Sequence, residues 1–160
     1  MLVYSRNKLT TVEDLKDGSL LVKVISNDTW FSLSLEMTIK VPDMEIAGIK
    51  GEINRSPYEK CCEALQILQE AVGVRISTGL IKNINAFIAN EKGCRRIADM
   101  ILDGCDQVIN RFTFSTLRQM KDIKEEDRAA AQRQFLKMNP QLIGSCIAYA
   151  KDSPLVKLEE

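Results

Sequence analysis

Residues 30–41, WFSLSLEMTIKV, constrain the chain more than any other stretch. Phe31, Leu33, Leu35, Met37, Ile39 and Val41 fall on one side, and Ser32, Ser34, Glu36, Thr38 and Lys40 on the other. A two-residue period held this long requires a β-strand with one buried face, so a sheet has to be part of the fold. Asn27-Asp28 before it and Pro42-Asp43 after it supply turn chemistry. Upstream, residues 19–26 (SLLVKVIS) follow a Lys-Asp-Gly turn and read as a second strand, with residues 8–15 placed to pair with it. Downstream, residues 45–54 (EIAGIKGEIN) read as a strand weakened or bulged at Gly48 and Gly51. The short connections between these segments favour an antiparallel meander of three to four strands.

From residue 56 onward the period becomes helical. Ser56-Pro57-Tyr58-Glu59 has the form of a capping box, and Tyr58, Cys61, Leu65, Leu68 and Val72 follow as one apolar stripe up to Gly73. Residues 77–89 (STGLIKNINAFIA) suit a second helix, although their near-alternation also fits a strand. Gly93 precedes a long helix with the stripe Ile97, Ile101, Cys105, Val108 and Phe112. Asp122 to Glu125 can cap a further helix running to about Met138, and Asn139-Pro140 starts a short last one carrying Leu142, Cys146 and Tyr149 on one side. Strands first and helices afterwards make an α+β fold, an N-terminal meander covered by four to five C-terminal helices. With no Pro-, Gly- or Ser-rich linker and no repeat, the expected organisation is a single domain over residues 1–160: strand-rich 1–55, helical 56–150, and a tail 151–160 that is loop or short strand.

Composition narrows the function more than it defines it. The chain is 45% apolar and 28% charged, and its 22 basic residues equal its 22 acidic ones. A domain that binds nucleic acid through phosphates carries a basic excess, so no nucleic-acid partner is expected. No apolar run approaches a bilayer span and the N-terminus lacks a signal-peptide core, which predicts no membrane partner and a cytoplasmic protein. Histidine is absent, which removes Ser-His-Asp and Cys-His catalysis and histidine-ligated zinc. The five cysteines, Cys61, Cys62, Cys94, Cys105 and Cys146, are odd in number and include no C-x-x-C pair. Core packing is the default for Cys61, Cys105 and Cys146, which share helix faces with apolar residues, while Cys62 lies on a flank. A metal or iron–sulfur site would need cysteines from separate helices to converge.

The stretch Lys92-Gly93-Cys94-Arg95-Arg96 is the one with chemical content. A helix opening there points unpaired N–H groups outward, and its dipole favours negative charge. Lys92, Arg95 and Arg96 add donors suited to a phosphate, carboxylate or sulfate, and the same field would make the Cys94 thiolate more available. The plain alternative has Cys94 packed inward and the arginines in water or paired with Glu91 or Asp99.

Three stretches, Ser56-Pro57-Tyr58-Glu59-Lys60-Cys61, Gly93-Cys94-Arg95-Arg96-Ile97-Ala98-Asp99-Met100, and Ser145-Cys146-Ile147-Ala148-Tyr149 with Ser153-Pro154-Leu155-Val156, stand together in an order that resembles a bacterial family known as domain of unknown function 2889. The resemblance implies that Tyr58, Cys61, Cys94 and Cys146 are the positions to watch. It implies no activity and no cofactor, since the family has none established. Family members commonly read Gly-Cys-Thr-His-Leu at the second motif, where this chain has Arg95 and Arg96. A metal site built on that histidine is thereby disfavoured, and an anion site gains.

The expected function is non-catalytic binding of a small anionic ligand at a helix N-terminus, in a pocket where the Tyr58 and Gly93 helix starts meet. Its candidate residues are Tyr58, Cys61, Lys92, Gly93, Cys94, Arg95, Arg96 and Cys146. The alternatives are a thiol-based redox or metal- or cluster-binding protein, and a structural domain whose sheet supplies a homodimer contact.

Overall fold

A computed structural model describes residues 1–121, 123–154 and 156–157. Asp122, expected in a helix cap, and Leu155, Leu158, Glu159 and Glu160 of the tail lie outside the described residues. The fold is α+β: a four-stranded antiparallel sheet followed by helices. The described chain forms two compact units, Met1–Arg111 and Phe112–Glu160.

The first unit begins with strands β1 (Arg6–Asp14), β2 (Leu20–Asp28), β3 (Ser32–Lys40) and β4 (Glu45–Arg55), paired in sequence order. The alternation expected for residues 30–41 is seen in β3, where Leu33, Leu35, Met37 and Ile39 are buried. In β2 the buried set is Leu20, Val22, Val24, Ser26 and Asp28, so the inner face ends on two polar residues. The register of β3 with β4 slips at two places, passing over Ala47 and Asn54. The first bulge lies beside Gly48 and explains why the buried residues Ile46 and Ile49 are three apart. Gly51, in contrast, pairs regularly with Leu35. A Cβ there would sit 2.7 Å from Leu35 Cδ2 and 3.0 Å from Leu68 Cδ1, so this glycine permits close packing and makes no bulge.

After β4 the chain enters a 3-10 helix, Glu59–Ala71, where the stripe predicted an α-helix. It is thirteen residues long, although 3-10 runs beyond three or four residues are uncommon. The expected capping box does not form: Tyr58 is the N-cap without a side-chain bond, and the Ser56 hydroxyl donates to the Tyr58 carbonyl at 2.8 Å. The buried residues are Ala64, Leu68 and Ala71, while Val72, assigned to the apolar stripe, is exposed.

Helix α1 (Leu80–Ile88) resolves the helix-or-strand ambiguity at residues 77–89 in favour of helix, with Ile84 and Ile88 fully buried. Helix α2 (Arg95–Lys121) buries Ile97, Ile101, Cys105 and Val108 of its expected stripe, while Phe112, the last member, is half-buried. It approaches the sheet closely at Gly104, where a Cβ would overlap Met37 Cε and crowd Val22 and Val24. Lys8 to Asp103 and Asp14 to Arg111 are ion pairs between β1 and α2.

The second unit contains the end of α2 and helix α3 (Glu125–Met138), on which Phe135 and Leu136 are buried. The expected last helix is replaced by two short 3-10 turns, Pro140–Leu142 and Ile147–Tyr149. Cys146 is exposed as the residue before the second turn, so it is neither on a helix face nor packed in a core. No helix of the described residues is long and apolar enough to cross a membrane.

Candidate functional site

The first unit has a cavity of about 860 Å³ lined by the end of β4, the 3-10 helix, the α1–α2 connection and the β2–β3 turn. Phe31, Leu33, Ile53, Ala64, Ile67 and Ile97 give it an apolar wall. Tyr58, Lys60, Cys61, Glu63, Gln66, Glu91, Lys92, Gly93 and Cys94 complete the lining. The 3-10 helix contributes residues 60, 61, 63, 64, 66 and 67, a strict three-residue repeat. Side chains at i and i+3 eclipse in this geometry, so two adjacent rows line the cavity; the 3.6-residue period of an α-helix would carry part of this set away.

The other wall is set by Asn90. Its side-chain amide donates to the Ala86 and Phe87 carbonyls at 3.1 and 2.8 Å, satisfying the end of α1, while its carbonyl oxygen accepts the Lys92 N–H at 2.9 Å. The Gly93 N–H then donates to the Asn90 carbonyl and the Cys94 N–H to the Ile88 carbonyl, at 3.1 and 2.9 Å. A Cβ on residue 93 would collide with the Ile88 carbonyl oxygen and come within 3.3 Å of Ile67 Cγ2. Glycine is therefore a steric requirement for a turn this close. The turn delivers Cys94 to the start of α2, where the Ala98 N–H is the first to find an intrahelical carbonyl, that of Cys94. The N–H groups of Arg95, Arg96 and Ile97 have no acceptor among the described residues.

Arg96 is engaged elsewhere. Its guanidinium pairs with Asp28 and stacks on Phe31, with Cζ 4.2 Å from the ring centroid. Asp28 has a fully buried side chain that also accepts from Tyr4 Oη at 3.0 Å, Arg6 Nε at 3.2 Å, and the N–H groups of Trp30 and Phe31 at 2.9 and 2.8 Å. Burial pushes the Asp28 carboxyl up, but the Phe31 and Trp30 N–H groups, Arg96 and Tyr4 outweigh it and hold it well below the usual carboxylate range. Arg55 donates to the Asp28 carbonyl at 2.6 Å and to Asn27 Oδ1 at 2.8 Å. Three arginines thus gather at the end of β2, two on the Asp28 carboxylate and one on its main-chain carbonyl. Neither Glu91 nor Asp99, the carboxylates considered as partners in the sequence, takes Arg96.

The structure brings Tyr58, Cys61, Lys92, Gly93 and Cys94 to one cavity. Tyr58 stands exposed at its mouth, and Cys61 and Cys94 are half-buried. Arg95 is exposed and does not line it, Arg96 meets it through Phe31, and Cys146 belongs to the second unit. Lys60 and Lys92 are matched in number by Glu63 and Glu91 on the lining, which leaves the start of α2, where a helix dipole favours negative charge, as the feature suited to an anion. Cys105, far from solvent, has its thiol pushed up to about 12 by burial. Among the described residues, no group of three or more Cys, Asp or Glu is assembled to hold a metal ion.

Sequence reading missed Asp28 and Asn90. A signal for Asp28 existed: the period of β2 carries from Val24 through Ser26 to Asp28, placing a carboxylate on the buried face. Asn90 offered none, being one polar residue among several in a connection.

No curated protein and no solved structure matches this chain. A family profile does match, described as protein of unknown function (DUF2889), over residues 9–109. The match includes the Tyr58 and Gly93-Cys94 motifs and stops short of the Cys146 and Ser153–Val156 stretch, of which Leu155 is not described. With the match extending over more than half of the chain and containing every residue that lines the cavity, this protein belongs to the DUF2889 family.

Proposed function

We propose that the first unit is a non-catalytic binding domain for a small ligand with an apolar body and one anionic end, a carboxylate or phosphate. The supporting observation is the meeting of an apolar wall with Gly93, Cys94 and Ile97 of the start of α2 at one cavity, beside N–H groups of Arg95, Arg96 and Ile97 that have no acceptor among the described residues. The anionic group is held by those N–H groups and Lys92, because Arg96 is already committed to Asp28. The apolar body lies along Phe31, Ile53 and Ile67. Thermal stabilisation by octanoate and octyl phosphate, against octanol as the uncharged control, tests the proposal. The charged pair should raise the melting temperature and octanol should not. The effect should shrink in Lys92→Glu, whose own stability stays near that of the parent because Lys92 is exposed. Equal or absent shifts for all three compounds would exclude an anionic ligand.

A second reading rests on the presence of both Cys61 and Cys94 on the cavity wall. It makes the ligand one that reacts with, or is held by, thiols. Competition against iodoacetamide decides it: a thiol-held ligand protects these two cysteines and leaves exposed Cys62 as reactive as before.

A further inference from the structure

The two edges of the sheet are treated differently by the chain. Along the first half of β4 the edge is closed by the chain itself: the Ile46 N–H donates to the Val74 carbonyl at 3.0 Å, the Gly73 N–H to the Ile46 carbonyl at 2.8 Å, and the Gln69 amide to the Ile49 carbonyl at 3.0 Å. Along β1 nothing comparable occurs. Its nine residues pair with β2 on one side, and among the described residues no backbone group of β1 bonds to anything on the other. The preceding residues do not cover it, because Tyr4 and Ser5 bond back to Asp28 and Thr29 at the β2–β3 turn. A long bare edge is a template for another strand.

The sequence of β1 indicates which strand. Its first half carries Arg6 and Lys8 and its second half Glu13 and Asp14. We propose that β1 pairs antiparallel with β1 of a second copy of this chain, about a two-fold axis at Thr10. This register alone pairs all nine residues. It sets Arg6, which also pairs with Asp28, against the second copy's Asp14, which also pairs with Arg111, and Asn7 against its Glu13, so each basic half meets an acidic half. On the solvent face it places Leu9, 58% exposed, directly opposite Thr11. The axis keeps inner face with inner face, making one continuous eight-stranded sheet.

Two double variants test this on the full chain without disturbing the core, since Leu9 and Thr11 are exposed. Size-exclusion chromatography with light scattering should show a dimer for the parent. L9E/T11E and L9K/T11K each place like charges opposite one another and should self-associate about tenfold more weakly or worse. Mixing the two should restore a dimer, because every opposed pair is then of opposite sign. A parent that stays monomeric up to its solubility limit overturns the proposal, as does a dimer that both variants preserve or a mixture that does not reassociate. Circular dichroism of each variant alone verifies folding. If one fails to fold, mixing an L9C chain with a T11C chain and a short bis-maleimide provides the second measurement. Cross-linked peptides joining positions 9 and 11 support the register, and their absence rejects it.

Discussion

Three guanidinium groups meet at the end of β2, where a single buried carboxylate answers Arg6 and Arg96 and the backbone carbonyl of the same residue takes Arg55. Asp28 ties together the segment before β1, the β2–β3 turn and the start of α2 through Tyr4, Trp30, Phe31 and Arg96. Removing Arg96 leaves that carboxylate buried with its partners reduced, so Arg96→Ala should cost roughly 3 kcal/mol in urea unfolding, with or without ligand. The same variant is therefore a poor probe of binding. The pH dependence has a definite sign. Because the folded carboxyl is held below its ordinary value of 3.8, its contribution is complete above that value and is lost as the pH falls below it. Asp28→Asn should be less stable than the parent at neutral pH and should lose less of its stability on acidification, as measured by denaturation midpoints between pH 6 and the acid limit.

At the scale of elements, hydrophobic period made the strands legible and misled on the first helix. β3 reads from sequence because one face is buried without interruption, and α2 reads because Ile97, Ile101, Cys105 and Val108 keep helical spacing. The segment Glu59–Ala71 has an equally good α-helical stripe in Cys61, Leu65 and Leu68, yet it winds more tightly. Tertiary packing, with Leu65 and Leu68 set against Gly51, overrides what spacing alone suggests. The cavity was legible as a meeting of two helix starts, but the three-residue repeat that lines it was not. Two glycines carry predictions here. Gly104→Ala forces Met37, Val22 and Val24 to give way and should cost about 1–3 kcal/mol by thermal or urea unfolding. Gly93→Ala meets backbone at Ile88, which cannot swing aside as a methionine can. It should destabilise more, and it should weaken binding of octanoate beyond its effect on stability.

For the whole molecule, the first compact unit ends at Arg111 and the family match at residue 109. The two boundaries fall two residues apart although one is a matter of contacts and the other of sequence. The first unit contains the sheet, the cavity and a continuous buried set from Leu20 to Val108. A chain ending at Arg111 should accordingly unfold in one cooperative transition and retain the cavity's ligand response, as followed by far-UV circular dichroism and thermal shift. Loss of cooperativity would show that residues beyond 111 are required for this core. Nothing in the sequence announced the boundary, because α2 runs through it with no Pro or Gly from Cys105 to Lys121.

Trp30 is the chain's one tryptophan, and it is 62% exposed in the turn whose N–H is held by Asp28. Its indole already faces water in the native state, so unfolding will barely move its emission wavelength. Fluorescence titrations would then understate a transition that circular dichroism records in full. The intensity of that emission reports something narrower, the state of the turn beside Arg96 and Phe31. That gives the protein a built-in optical gauge one residue away from Phe31 on the wall of its own cavity.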